Sequence, residues 1–172
     1  MATIIKIQNL RKVYPVGKER VVALNSINLE IEQGEICCIL GTSGSGKSTL
    51  LNQLAGLEKP TKGSVTIGKT NISKLSEKKL AKFRQKNIGF VFQSYNLLPS
   101  YTALENVAMP LMFRGIPKRL RNKRAAALIK AVGLGKRMKH KPTQMSGGQQ
   151  QRVGIARAFV SKPKIIFADE PT

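Results

Sequence analysis

The chain has 172 residues, enough for one domain that buries roughly 70% of the surface its unfolded form exposes. Its apolar fraction of 41% is typical of a globular protein, and no apolar run reaches the roughly 18 residues of a membrane-spanning helix. Thirty Lys and Arg against nine Asp and Glu give a charge of +21, so nucleic acid and anionic membranes are candidate partners.

The first half of the chain predicts mainly strands. Two strands, "ATIIKIQNL" and "VVALNSINLEI", flank a loop with the sequence "RKVYPVGKER". The continuous apolar run "GEICCIL" is typical of a strand buried on both faces, which would also bury Cys37 and Cys38. A glycine-rich turn and a helix follow, then the strand "SVTIG", the helix "SEKKLAKFRQKN" and the strand "IGFVF", which ends at Gln93.

The second half predicts a helical block before the chain returns to a strand. Thr102 and Glu105 form a capping box at the start of "TALENVAMPLMF". The next helix has Pro117 at its start and Gly133 at its end, and "SGGQQQRVGIARAFVS" forms a third helix before the strand "KIIFA". This alternation predicts an α/β fold with a parallel central sheet and a small helical subdomain.

The sequence "GTSGSGKST" matches the phosphate-loop pattern G-x-x-x-x-G-K-[ST] between an apolar run and a helix. Glycines let backbone N–H groups surround phosphate oxygens, and the helix N-terminus adds partial positive charge. Lys47 would then reach the β- and γ-phosphates, and the Ser48 hydroxyl would bind Mg²⁺. The alternative is an ordinary glycine-rich turn. The predicted nucleotide contacts of the loop are Gly41, Thr42, Ser43, Gly44, Ser45, Gly46, Lys47, Ser48 and Thr49.

Two adjacent carboxylates, Asp169 and Glu170, follow the strand "KIIFA", and Asp169 is the only aspartate of the chain. Taken alone, such a pair is typical of a solvated turn. Together with a phosphate loop, an aspartate at the end of an apolar strand is expected to hold Mg²⁺. Glu170 could then polarise the water that attacks the γ-phosphate.

The segment "MSGGQQQRVGIARA" resembles the signature of ATP-binding cassette (ABC) ATPases, usually LSGGQ, with Met145 in place of Leu. Gln93 looks like the Q-loop glutamine of that family, Tyr14 like the aromatic that stacks on adenine, and "FADEPT" like the segment with the Mg²⁺-binding Asp and catalytic Glu. The resemblance covers the chain from Tyr14 to its end. Tyr14 could equally be a plain aromatic at a strand end.

This resemblance implies a P-loop NTPase core with a mainly parallel sheet, antiparallel N-terminal strands and an inserted helical subdomain. The core would comprise residues 1–93 and 162–172, and the subdomain residues 94–161. The implied function is ATP hydrolysis for a membrane transporter, similar to lipoprotein-releasing and macrolide or antimicrobial-peptide exporters. The implied location is the cytoplasmic face of the membrane, on a separate permease subunit.

The resemblance also implies a homodimer with ATP at its interface. One subunit would supply the phosphate loop, and the other Ser146, Gly147, Gly148 and Gln149. The implied catalytic residues are Glu170, Lys47 and Gln93. Of these, Gln93 would sense the γ-phosphate. Mg²⁺ would be held by Ser48, Gln93 and Asp169.

Two other functions stay open. One is an ABC-type ATPase that acts on nucleic acid or ribosomes, and the other a polyanion-binding module without enzyme activity. The charge of +21 favours both, whereas a single short cassette without a coiled coil argues against a nucleic-acid partner.

The family pattern continues beyond "DEPT" to a strand that ends in a histidine, and the only histidine here, His140, precedes the signature. We therefore expect the chain to lack the last strands of the family fold, as a C-terminally truncated form would. We expect ATP binding with weak or absent turnover for the chain as written.

Overall fold

The computed structural model describes residues 2–170, and the chain forms two compact units that divide between Leu80 and Ala81. Helices, an antiparallel sheet and a parallel sheet are all present, which confirms the predicted α/β class. Division into a core of residues 1–93 and 162–172 and a subdomain of residues 94–161 stays a prediction. None of the helices in the described part of the chain has the length and apolar character needed to cross a bilayer.

The first unit contains a four-stranded antiparallel sheet with the order β2-β1-β3-β4. Its strands are β1 (Thr3–Val16), β2 (Glu19–Glu32), β3 (Lys62–Ile67) and β4 (Thr70–Asn71). The predicted loop at residues 11–20 is wrong, because β1 and β2 continue through it and pair as far as Val16 and Glu19. The two-residue turn that remains favours a positive φ, which Gly17 supplies at 59°.

The apolar side chains of this sheet lie on one face, because alternate residues of a strand point the same way. Ile5 and Ile7 of β1 pair with Ile67 and Val65 of β3, and all four side chains are buried. Helix α1 (Lys47–Leu54) belongs to this unit, whereas α2 (Glu77–Asn87), which starts after a serine as predicted, spans the boundary between the two units. Each fully buried aliphatic side chain contributes about 1.5–3 kcal/mol of stability.

Residues 35–40 do not form the predicted buried strand. Ile36 and Leu40 are 92% and 91% exposed, and Cys37 and Cys38 are exposed as well. A strand satisfies its backbone hydrogen bonds only through neighbouring strands, and none of the described strands pairs with this segment. The prediction of a strand buried on both faces, with two buried cysteines, is therefore wrong for the described structure.

The second unit combines a two-stranded parallel sheet with three helices. Strands β5 (Ile88–Val91) and β6 (Ile165–Ala168) pair in parallel along their full length, as the sequence predicts. The helices are α3 (Ala103–Phe113), α4 (Lys118–Ala131) and α5 (Gly147–Phe159). They enclose a core of small and aliphatic side chains that includes Val107, Leu111, Ile129 and Val153.

The helices of the second unit start and end near the predicted residues. The Thr102 hydroxyl accepts a hydrogen bond from the Glu105 N–H, and the Glu105 carboxylate accepts one from the Thr102 N–H. Pro117 precedes α4, and Gly133 follows its end with a φ of 75°. These contacts confirm the predicted capping box and the predicted Pro–Gly boundaries.

Candidate nucleotide-binding site

The phosphate-loop sequence, residues 41–49, forms a turn that leads directly into α1. Gly46 precedes the helix with a φ of 92°, and a Cβ there would lie 2.7 Å from the carbonyl oxygen of Ala23. A Cβ on Gly41 would lie 2.6 Å from the Ser45 Oγ and displace that hydroxyl. The loop therefore uses glycine where the backbone itself must come close to a neighbour, as a phosphate cradle at a helix N-terminus requires.

The Lys47 side chain folds back over the loop. Its Nζ donates hydrogen bonds of 2.9 Å to the carbonyl oxygens of Gly41 and Thr42. An ammonium group bound to neutral carbonyls can exchange them for phosphate oxygens, which bind it more strongly. The lysine is therefore next to the cradle that it is predicted to serve.

Tyr14 of β1 belongs to a polar cluster beside α1. Its hydroxyl donates a 2.6 Å hydrogen bond to Glu58 Oε2, and Glu58 Oε1 accepts one of 3.5 Å from Asn52 of α1. Lys12 forms a 3.2 Å salt bridge with Glu58, and its Nζ lies 4.9 Å from the centre of the Tyr14 ring. One face of the ring thus carries a cation, and adenine stacking by Tyr14 stays a prediction.

The pKa values of Tyr14 and Glu58 are shifted by burial and by the hydrogen bonds of this cluster. Burial, and then the hydrogen bond with Glu58, raises the pKa of the Tyr14 phenol. Burial alone would raise the pKa of Glu58, but hydrogen bonds from Tyr14, Lys12 and Asn52 and the Lys12 charge outweigh it and lower that pKa. Glu58 is consequently an ionised anchor for the residues around it at neutral pH.

The two predicted carboxylates directly follow β6. The Asp169 N–H donates to the Val91 carbonyl at 3.0 Å, so the contact between the two strands continues to Asp169. Glu170 adopts a φ of 43°, and its Oε2 accepts a 2.5 Å hydrogen bond from the Gln93 amide nitrogen. The carboxyl ends of two parallel strands thus bring Gln93 and Glu170 together, and the loops at this edge of a sheet commonly bind ligands.

The signature sequence forms the N-terminus of α5. The Ser146 hydroxyl accepts a hydrogen bond from the Gln149 N–H at 3.4 Å, and the Gln149 side chain accepts one from the Ser146 N–H at 3.1 Å. Gly147 and Gly148 lie between them, in the first turn, and both are exposed. The helix therefore presents its N-terminal dipole at an accessible surface, where an anion would be stabilised.

A basic cavity of about 480 Å³ adjoins this helix. Its walls include Gln149 and four cationic side chains, from Lys130, Lys136, Arg137 and Arg152. These four cationic side chains are exposed. His140 is half-buried, and its Nε2 lies 3.0 Å from the Arg137 guanidinium.

The predicted Mg²⁺ ligands have the chemistry that this cation prefers, since they offer a hydroxyl, an amide oxygen and a carboxylate. Ser48 belongs to the first unit, whereas Gln93 and Asp169 belong to the second. Gln93 contacts Glu170 through its nitrogen, so the oxygen that a metal would use is the other atom of the amide. Within residues 2–170, no three His, Cys, Asp or Glu side chains cluster as a metal site would require. Magnesium coordination stays a prediction.

Three residues of the site region were not among the candidates from the sequence. Glu58 connects Tyr14 to α1, and Tyr95 and Arg157 connect the end of β5 to α5. Glu58 is one of only nine acidic residues, so its rarity was a usable signal. Nothing in the local sequence distinguishes Arg157 from the other basic residues, because its contacts lie more than sixty positions away.

Comparison with protein families gives a match to "ABC transporter" over residues 24–172. Among curated relatives, a lipoprotein-releasing system ATP-binding protein LolD from Pseudomonas fluorescens is 51% identical over 169 residues, which cover 98% of this chain and 74% of that protein. An uncharacterised ABC transporter ATP-binding protein from Thermotoga maritima is 49% identical over 172 residues, which cover the whole chain and 74% of the relative.

Solved structures give the same result. The dimeric post-hydrolysis state of the ATP-binding cassette MJ0796, bound to ADP and Pi, has a TM-score of 0.94 and 47% identity. The aligned region covers 98% of this chain and 75% of the MJ0796 chain. A second dimeric structure of MJ0796, described as a bacterial ABC transporter cassette, also has a TM-score of 0.94, with 48% identity. The chain thus spans about three quarters of the length of these relatives.

Proposed function

Because this chain belongs to the ABC transporter family, we propose that it is the ATP-binding and ATP-hydrolysing subunit of a membrane transporter. The observation that carries the proposal is the loop of residues 41–49, where glycines remove side-chain bulk and Lys47 lies against the loop at the start of α1. The bound ADP and Pi described for MJ0796 support a nucleotide as the ligand.

In this proposal the residues of the phosphate loop hold the ATP phosphates. Lys47 would neutralise the β- and γ-phosphates, and Ser48, Gln93 and Asp169 would hold Mg²⁺, which would stabilise the charge of the transferred phosphoryl group. Glu170 polarises the attacking water, and its 2.5 Å contact with Gln93 orients the carboxylate. Tyr14 stacks on adenine with the ring face opposite Lys12.

We further propose that two copies enclose the nucleotide, as the dimeric MJ0796 structures suggest. Ser146, Gly147, Gly148 and Gln149 of one copy would face the γ-phosphate held by the other. The support is the N-terminal position of these residues on α5 and their exposure, which leaves the helix dipole open to an anion.

The transporter class proposed is lipoprotein release or a related export process, on the basis of the identity with LolD. A permease would supply the membrane part and hold this subunit at the cytoplasmic face. Large apolar side chains for such a contact are exposed between residues 98 and 113, namely Leu98, Tyr101, Met112 and Phe113. Other apolar residues of that region pack in the core, where Val107 and Leu111 are fully buried.

The decisive experiment measures ATP binding and phosphate release with three proteins: the chain itself, Lys47→Ala and Glu170→Gln. We expect Lys47→Ala to abolish binding, and Glu170→Gln to bind ATP while any turnover falls by about 10²–10⁴-fold, the usual contribution of a general base. Turnover that survives Glu170→Gln would overturn the catalytic role. Binding that survives Lys47→Ala would overturn the phosphate-loop role.

The salt dependence of binding distinguishes ATP binding from the competing polyanion-binding function. Specific ATP binding should persist at moderate salt, whereas binding through the basic cavity should fall steeply, because it depends on the release of counterions. The matched variant is Lys136→Ala, which removes a cavity charge and should leave ATP affinity unchanged. The comparisons do not favour a nucleic-acid function.

A further inference from the structure

The turn of residues 92–96, which follows β5, has an unusual backbone. Tyr95 and Asn96 have φ values of 59° and 47°, so two consecutive residues with side chains adopt the left-handed conformation. Asparagine tolerates this conformation, but it is sterically unfavourable for a tyrosine and persists at Tyr95 only where surrounding contacts enforce it. The turn must therefore be held by a partner.

Arg157 of α5 is that partner. Its guanidinium donates one hydrogen bond to the Tyr95 carbonyl at 2.6 Å and another to the Asn96 carbonyl at 2.5 Å. The guanidinium carbon also lies 5.7 Å from the centre of the Phe92 ring. The guanidinium is half-buried, and this burial lowers the pKa of Arg157. Its planar fork matches two neighbouring carbonyls in a way that a lysine cannot.

Tyr95 also lies close to two glycines of α5. A Cβ on Gly147 would lie 3.0 Å from the Tyr95 hydroxyl oxygen, and one on Gly154 would lie 3.9 Å from the Tyr95 carbonyl oxygen. These two glycines are seven positions apart and therefore share a helix face. The turn consequently follows α5 from its third turn to the signature glycine at its N-terminus.

We propose that Arg157 is a positioning residue that holds the turn of residues 92–96 on α5 and so couples Gln93 to the N-terminus of the signature helix. Gln93 lies two residues before Tyr95 and contacts Glu170, whereas the Tyr95 hydroxyl reaches Gly147. A displacement of Gln93 is thereby transmitted to the signature residues at the N-terminus of α5. A displacement of the signature residues is likewise transmitted to Gln93. The importance of this coupling for ATP hydrolysis rests on the proposed function, but the coupling itself does not.

The test is hydrogen–deuterium exchange on the full chain without nucleotide. We expect Arg157→Lys to raise amide exchange by about tenfold in two segments together, residues 92–97 and 146–150, because the charge-assisted hydrogen bonds to the Tyr95 and Asn96 carbonyls are lost. Exchange in α3 and α4 should not change. Faster exchange throughout the second unit, or in residues 92–97 alone, would overturn the proposal.

A second substitution distinguishes loss of the left-handed turn from a general loss of stability in the Arg157→Lys variant. Asn96→Gly removes the steric cost of that conformation and should return the Arg157→Lys variant most of the way to the original exchange rates. The matched control is Lys162→Gly, since Lys162 is also left-handed at a φ of 49° in the same unit. Equal rescue by both substitutions would overturn the proposal.

A milder variant covers the case in which Arg157→Lys does not fold. Tyr95→Phe removes only the hydroxyl near Gly147, so it should raise exchange at residues 146–150 and leave residues 92–96 protected. No change at residues 146–150 would overturn the coupling. Because these measurements need no ATP, a chain with intact coupling and no ATP binding would refute the proposed function and leave this inference standing.

Discussion

The segment that leads into the phosphate loop and the helix that carries the signature differ in structure, although both have specific motifs. Residues 35–40 are exposed except for the half-buried Ile39, and they pair with none of the described strands. Helix α5 is capped by Ser146 and buries Val153 and Ala156 in the core of the second unit. A helix satisfies its own backbone, whereas a strand depends on neighbours, so an apolar run alone is weaker evidence for a strand.

Two buried amides extend this comparison to side chains. Asn106 in the second unit is fully buried, and its amide makes four hydrogen bonds, to the backbone of Leu98, Tyr101 and Thr102. Gln53 in the first unit is 1% exposed, and neither polar atom of its amide has a hydrogen-bond partner. A buried amide stabilises a fold only when it is paired, so the same chemical group has opposite effects in the two units.

The largest expected difference between the two regions concerns apolar packing. Ile129→Ala should lower the free energy of unfolding by about 2–5 kcal/mol, because it leaves a cavity in a fully buried site. Leu40→Ala should change it by no more than about 0.5 kcal/mol, because Leu40 is 91% exposed. Urea unfolding measures both. A large loss in Leu40→Ala would mean that residues 35–40 are packed in solution.

The second difference concerns the two amides. Asn106→Leu should destabilise the chain by about 1–3 kcal/mol, since it leaves backbone groups near Leu98 unpaired. Gln53→Leu should instead stabilise it by about 1 kcal/mol, because it removes an unpaired buried amide. Thermal unfolding of the two variants is the measurement. The contrast fails if both substitutions shift stability in the same direction.

A smaller effect is expected at the signature helix. Ser146→Ala should cost about 1 kcal/mol, because the N-terminal cap is lost. Ser100→Ala, at an exposed turn position, is the matched control and should have almost no effect. Chemical unfolding monitored by circular dichroism compares them, and equal stabilities for the two variants would contradict the capping role seen here.

The smallest effect is a pH dependence at Glu58. Its folded pKa is lowered, so its stabilising contribution is present above the ordinary pKa of 4.5 and is lost as pH falls below that value through the folded pKa. Glu58→Gln should therefore lose less stability than the original chain between about pH 5 and pH 3. The difference should stay below about 1 kcal/mol, because the side chain is 33% exposed.

The control for this titration is Glu19→Gln, which removes the same charge at the exposed end of the β1–β2 hairpin. Because it removes an exposed carboxylate, it sets the baseline against which the Glu58→Gln profile is compared. Identical titrations for Glu58→Gln and Glu19→Gln would show that the cluster around Tyr14 makes no specific contribution.

Local sequence signals predicted much of this molecule. The glycine-rich turn of residues 41–49, the cap at Thr102 and the helices of the second unit follow from residues within a few positions of one another. Spacing within a helix or a turn is set by the covalent chain, so these features are determined before the chain folds.

Tertiary structure decided what depends on residues far apart in the chain. It extended the β1–β2 hairpin through the predicted loop, left Cys37 and Cys38 exposed, and brought Gln93 to Glu170 across 77 positions. It also placed Arg157 against a turn whose left-handed backbone at Tyr95 the local sequence does not indicate. Strand pairing and buried polar contacts require partners that local sequence cannot specify, and only the folded chain supplies them.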